Sequence, residues 1–176
     1  MVNYNINDTI ARMETNFGNS VAELSQDRPV MLIFLRHFGC TFCRAALAEL
    51  SQKRYNIEAK GSHLVFIHMS DYGTANRYFE RYNLEGVEHV SDPSCQYYAE
   101  FGLVKGNFRQ LFGFASWING FSRGIIEGHG LGQELGDGFQ MPGVFVIQGG
   151  RVRESYVHKL SSDKPNYEKL ADCCVV

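Results

Sequence analysis

The hydrophobic pattern changes period along the chain. Ile10, Met13, Phe17, Val21 and Leu24 fall at steps of three and four, the spacing of an amphipathic helix, with an interruption expected near Gly18 and Asn19. After Asp27-Arg28-Pro29 the residues from Val30 to Leu35 are apolar at every position, as in a central parallel strand covered on both faces. His37-Phe38-Gly39-Cys40-Thr41-Phe42-Cys43 then turns the chain. The following Arg44-Ala45-Ala46-Leu47-Ala48-Glu49-Leu50 is rich in strong helix formers, so a C-x-x-C pair opens a helix. His63 to His68 reads as the next strand, and the βαβ unit so formed is expected to be right-handed with parallel strands.

Further on, the pattern predicts a helix over 76–82, a short strand over 87–90, and a short helix over 96–101 after the Asp92-Pro93 turn. Residues 112–140 break the alternation: Gly113, Gly120, Gly124, Gly128, Gly130, Gly132, Gly136 and Gly138 make the stretch too glycine-rich for a long helix. It reads as a loop insertion, with Trp117, Phe112, Phe114 and Phe121 expected to form a satellite core beneath it. Residues 144–147, the Gly149-Gly150 turn and residues 152–158 predict a β-hairpin, followed by a final helix from about 165 to 174. The result is an α/β plan of thioredoxin-like type: one domain over 1–176, a central mixed sheet flanked by helices, and a glycine-rich insertion before the C-terminal hairpin and helix.

Composition narrows the function. The 176 residues are 44% hydrophobic and 20% charged, with a formal charge of -2, which fits a globular domain and offers no basic run for a phosphate backbone. Nucleic acid is not an expected partner. The longest apolar stretch is far shorter than the roughly 18 residues of a membrane span, and Met1-Val2-Asn3-Tyr4-Asn5 has no signal-peptide character. A cytoplasmic location is the expectation, with no membrane partner. The odd count of five cysteines also argues against a secreted disulfide framework.

The thiolate, not the thiol, attacks a peroxide or disulfide, and a helix N-terminus stabilises that anion. Cys40 occupies such a position. Lowering a thiol pKa from about 8.5 to about 6.5 raises the thiolate fraction at pH 7 from roughly 3% to roughly 75%, worth about 2.7 kcal/mol. Arg36, His37 and Arg44 are the nearby groups expected to contribute. Cys43, one turn on, can attack a mixed disulfide or sulfenic acid on Cys40 and close a short ring. Two packed core thiols and a zinc site are the competing readings; zinc is disfavoured because Cys173-Cys174 is adjacent rather than spaced, and His63, His68, His89, His129 and His158 lack metal spacing. No cofactor is expected. Pro142, in Met141-Pro142-Gly143, sits where a cis bond would expose backbone for an extended thiol partner; an ordinary loop proline is the equal alternative. Cys95 reads as a packed thiol before a resolving one, and Cys173-Cys174 as a resolving pair or a frayed helix end.

Three segments, Phe34-Leu-Arg-His-Phe-Gly-Cys-Thr-Phe-Cys-Arg44, Ser91-Asp92-Pro93 leading to Phe101-Gly102-Leu103, and Asp137-Gly-Phe-Gln-Met-Pro-Gly-Val-Phe-Val-Ile147, resemble the AhpC/TSA-like proteins. The likeness is to their peroxiredoxin-like branch that carries C-x-x-C and includes prostamide/prostaglandin F synthase, within the thioredoxin-like superfamily. Gly149-Gly150-Arg151-Val152 and Ser162-Asp163-Lys164-Pro165 add to it, so that it covers roughly 16–172. The chain departs from the peroxiredoxin pattern Pro-x-x-x-Thr-x-x-Cys, which would put proline at Arg36 and threonine at Cys40, and it lacks an arginine just before the hairpin strand. Thioredoxin logic makes Cys40 the nucleophile; peroxiredoxin alignment makes it Cys43. The resemblance implies a thiol-dependent oxidoreductase, an antioxidant peroxidase or disulfide reductase, with Cys40, Cys43, Arg44 and Pro142 at its site. The implied substrate is a peroxide or disulfide, the reductant a thioredoxin or glutathione system, and a homodimer is compatible. A redox-responsive binding or scaffold protein without turnover is the alternative.

Overall fold

The computed structural model describes residues 5–106 and 137–174. In chain order the elements are α1 (Ile6–Arg12), α2 (Val21–Asp27), β1 (Val30–Phe34), α3 (Thr41–Ala59), β2 (His63–His68), α4 (Tyr72–Arg81), β3 (Glu88–Ser91), α5 (Gln96–Glu100), β4 (Gly143–Gln148), β5 (Arg151–Val157) and α6 (Tyr167–Ala171), closed by a 3₁₀ turn (Asp172–Cys174). The sheet order is β3-β2-β1-β4-β5. β1 pairs parallel with β2, β2 parallel with β3, and the β4–β5 hairpin joins antiparallel beside β1. This is the mixed, helix-flanked sheet expected of a thioredoxin-like fold.

β1 is central for the reason its sequence announces. None of its five residues is more than 2% exposed, and successive side chains enter opposite layers. Met31 and Ile33 pack with Leu47 and Leu50 of α3 and Phe79 of α4; Val30, Leu32 and Phe34 pack with Ile10, Val21 and Tyr98 on the other side. At about 1.5–3 kcal/mol per fully buried large apolar side chain, this one strand is a principal source of stability. It also fixes the height of the turn that follows it.

Several boundaries differ from expectation, each for a local reason. The N-terminal helical pattern forms two helices, because Ser20 starts α2 with a capping box to Glu23 and Gly18 takes a positive φ of 84°. Phe17, counted with the apolar stripe, is 59% exposed in that break. α4 starts earlier than predicted, where the Asp71 side chain accepts the Thr74 N–H. The last helix is shorter, starting after its Asn166 cap and passing into the 3₁₀ turn. Of the expected insertion, residues 112–136, including Phe112, Phe114, Trp117, Phe121 and His129, lie outside the described residues.

Candidate active site

The site is built where β1 runs into α3. Leu35 N–H donates to the Ile67 carbonyl at 2.9 Å, and the buried Tyr98 hydroxyl donates to the carbonyls of both Leu35 and Ile67. The ends of β1 and β2 are thereby tied together. Phe38 anchors the turn by stacking on Tyr78, with ring centroids 4.6 Å apart and planes 8° from parallel. Cys40 N–H then closes the turn on the His37 carbonyl at 2.9 Å.

Cys40 is the N-cap of the 19-residue α3 and makes no side-chain cap hydrogen bond. Serine, threonine, aspartate or asparagine usually supplies an oxygen there; here a sulfur faces the first-turn N–H groups. Both thiols are 4% exposed. The Arg36 Nη1 donates to Cys40 Sγ at 3.1 Å, and the Arg36 backbone N–H donates to Cys43 Sγ at 3.2 Å. Arg36 is itself buried, its Nε donating to the Gln140 carbonyl at 3.1 Å and its Nη2 to the Gly138 carbonyl.

These contacts divide the two thiols. The hydrogen bond from Cys43 most of all, then the Arg36 charge and the Cys43 and Phe42 N–H groups, bring Cys40 from near 9 down to about 6, against the opposing cost of burial. Cys43 is held well above the ordinary thiol range by that same hydrogen bond, by burial, and by the charge on Cys40. At neutral pH these contacts favour the thiolate at Cys40 and the thiol at Cys43.

The other expected contributors are placed differently. Arg44 is exposed on α3, and its backbone N–H donates to the Cys40 carbonyl at 3.0 Å; the guanidinium on the sulfur belongs to Arg36. His37 supplies no positive charge at neutral pH, since burial, followed by Arg36 repulsion, brings it to about 4. Pro142 lines a cavity together with Cys43, and its peptide bond is trans, as no described peptide bond is cis. Backbone exposure by a cis proline is therefore not a feature of this site. Cys95 caps α5 with a left-handed φ of 57°, and burial, with Asp92 and Asp137 nearby, pushes its thiol up to about 11. Cys173 is exposed at the far end of the chain.

Sequence reasoning named Arg36 only as a neighbour and missed Gln140. The Gln140 side chain donates to the Leu103 carbonyl at 2.9 Å, fixing the turn before β4 whose carbonyls hold Arg36. The one available signal was a charged residue at the end of an entirely apolar strand. Among the described residues no group of three or more His, Cys, Asp or Glu side chains is arranged to hold a metal, and no helix is long and apolar enough to cross a membrane.

A thioredoxin-type sheet with a cysteine pair at a helix N-terminus defines a thiol oxidoreductase scaffold. The model of the AhpC/TSA antioxidant enzyme family matches residues 49–160, and the chain belongs to that family. It is 27% identical over 95% of its length to the thioredoxin-like protein AAED1, chloroplastic, of Arabidopsis thaliana, covering 71% of that protein. It is 26% identical over 85% of its length to prostamide/prostaglandin F synthase of Danio rerio, covering 76% of it. Among solved structures it resembles the peroxidoxin BcpB of Mycobacterium tuberculosis, with a TM-score of 0.63 at 16% identity, covering 92% of this chain and 89% of that one. The family match begins after Cys43 and does not cover the cysteine pair.

Proposed function

We propose that this protein is a dithiol oxidoreductase in which Cys40 attacks the oxidant and Cys43 resolves the product. The observation that carries this reading is the Arg36 Nη1–Cys40 Sγ contact of 3.1 Å at a helix N-terminus, with a second thiol one turn on. Attack of the Cys40 thiolate on a hydroperoxide leaves a sulfenic acid and releases an alcohol or water; attack on a disulfide leaves a mixed disulfide and releases a thiol. Cys43 then displaces hydroxide or the second thiolate and forms the Cys40–Cys43 disulfide. Its 4% exposure favours a small oxidant over a folded protein disulfide. A thioredoxin-like dithiol or glutathione returns the pair to its reduced state.

Prostanoid chemistry enters only through the likeness to prostamide/prostaglandin F synthases, those of Salmo salar and Danio rerio. A reducing compartment suits the cycle: the cytoplasm is our proposal, with the chloroplast named for the plant relative as the other candidate. The second reading, a redox-responsive binding protein, draws on the Arg36 bonds to the Gly138 and Gln140 carbonyls, which would couple the state of Cys40 to the loop before β4. Steady-state turnover separates the two. With a peroxide or small disulfide and a glutathione or thioredoxin recycling system, the dithiol reading expects multiple turnovers that Cys40→Ser abolishes. Single-turnover oxidation without recycling supports the binding reading, and thiols that stay reduced and unalkylated defeat both.

A further inference from the structure

We infer that His158 takes up the proton Cys43 must lose in closing the disulfide, through water held in the cavity that the two residues share. This inference rests on the dithiol reading above. The resolving sulfur is 4% exposed and must become a thiolate to attack, so its proton needs an acceptor inside the protein.

The cavity has a volume of about 70 Å³ and is lined by Cys43, Ala46 and Glu49 of α3, Pro142, His158 and Tyr167 among others. A water needs a site of roughly 10–15 Å³ with two or more polar partners, so there is room for a short chain of them. His158 is placed by the sheet: it follows the last residue of β5, and its N–H donates to the Pro142 carbonyl at 3.4 Å, at the start of the strand beside β1. The residue is 9% exposed, and its Nδ1 has no hydrogen-bond partner. A buried ring nitrogen without a partner is costly unless water or a proton donor reaches it.

Of the other titratable groups lining this cavity, Arg36 donates to Cys40 Sγ and to the Gln140 carbonyl. Glu49 accepts from Lys53 at 2.8 Å. Asp163 accepts the N–H groups of Lys159 and Leu160 at 2.8 and 2.9 Å. Tyr167 is held protonated, chiefly by burial. Burial keeps His158 below its ordinary range, against opposition from the Asp163 charge and the Pro142 and Asp163 backbone, so the imidazole is neutral at pH 7 and can accept. Tyr156 packs edge-on at 5.2 Å, and Lys164 lines the same cavity.

The S–H bond of Cys43 breaks, and its proton passes through water to the imidazole. The sulfur electron pair forms the S–S bond to Cys40, and the bond from Cys40 to oxygen or to the substrate sulfur breaks, its pair leaving as hydroxide or thiolate. The proton on His158 then passes to solvent. Two thiols are oxidised, and one peroxide or disulfide is reduced.

Dithiobis-nitrobenzoate tests this in the full chain with Cys95, Cys173 and Cys174 replaced by serine. Attack by Cys40 releases a first coloured thiolate, and closure by Cys43 releases a second. His158→Gln is expected to leave the first phase unchanged and to slow the second at pH 7 by about a hundredfold, the lower end of general-base effects, with its pH midpoint displaced upward. Ala46→Leu narrows the cavity from the α3 side while keeping the His158 imidazole and is expected to slow the second phase likewise, which covers the case where His158→Gln does not fold. An unchanged second phase in either folded variant overturns the inference and leaves the dithiol reading intact. A parent protein that lacks the second phase overturns both.

Discussion

One residue addresses both sulfurs: the Arg36 guanidinium lies 3.1 Å from Cys40 Sγ while its backbone N–H lies 3.2 Å from Cys43 Sγ. The side chain is held by two carbonyls of the segment before β4, so its charge is fixed at the sulfur. Arg36→Lys keeps a charge but loses the planar fork that satisfies sulfur and carbonyls together. Cys40, brought down to about 6 in this setting, is expected to show an alkylation midpoint higher by about one unit in Arg36→Lys and about two in Arg36→Ala, or about 1.4 and 2.7 kcal/mol. The pH dependence of the iodoacetamide rate reads this directly; a midpoint that does not move in Arg36→Ala removes the guanidinium from the account.

How far this site was legible in the sequence depends on the span of each contact. The apolar run of β1 and the helix formers after Cys43 are local signals, and both elements and the placement of the cysteine pair between them follow from them. Arg36 is bonded to partners 102 and 104 residues away, a pairing that periodicity cannot carry. Arg44 is the nearer arginine to Cys43 in sequence, yet it is exposed on α3. His158 is brought to Cys43 only because β4 inserts beside β1 and β5 folds back on β4.

Gly143 opens β4 against the site, and a side chain there has no room. A Cβ at this position would lie 2.7 Å from Leu103 Cδ2 and 3.2 Å from Phe145 Cε2. Leu103 is itself 2% exposed and cannot swing aside freely. Gly143→Ala is expected to lose about 1–3 kcal/mol to overpacking, and Leu103→Ala in the same chain should recover part of that loss. Urea denaturation of the single and double variants checks it; additive losses would show that the clash is not with Leu103.

A buried histidine pair is expected to contribute most to the acid sensitivity of the fold, with buried His37 and His158 acting in the same direction. His68 Nε2 and His89 Nδ1 are 2.8 Å apart, and His89 Nε2 bonds Asn76 Oδ1 at 2.9 Å. Burial brings His68 to about 3 and His89 to about 4. In the window from about pH 6.5 down to about pH 4 the unfolded chain binds protons that the folded chain refuses, so stability falls as pH falls. A loss on the order of 3 kcal/mol for each of the two histidines is expected between pH 7 and pH 4, and His89→Gln should flatten that part of the curve at some cost at pH 7. Denaturation midpoints measured across the window decide; equal slopes in variant and parent would exclude the pair as the cause.

The cysteine pair should leave its own signature at higher pH, opposite in origin. In the reduced protein Cys40 titrates near 6 folded and in the ordinary thiol range unfolded. Its contribution is therefore fully present above that range and is lost as pH falls through about 6. Cys43 acts the other way, since its folded pKa lies well above the ordinary value: once the unfolded thiol ionises, above roughly pH 8.5, the folded state is disfavoured. Stability of the reduced chain is thus expected to climb from about pH 6, level near the ordinary thiol range, and decline beyond it. Cys40→Ser should remove the climb, and Cys43→Ser should remove most of the decline. Because the low Cys40 value depends first on the hydrogen bond from Cys43, Cys43→Ala, which cannot donate, should weaken the climb as well, whereas serine retains a donor. Urea titrations of the four proteins under a strong reductant make the comparison, and a climb that survives in Cys40→Ser would place the low-pKa group elsewhere.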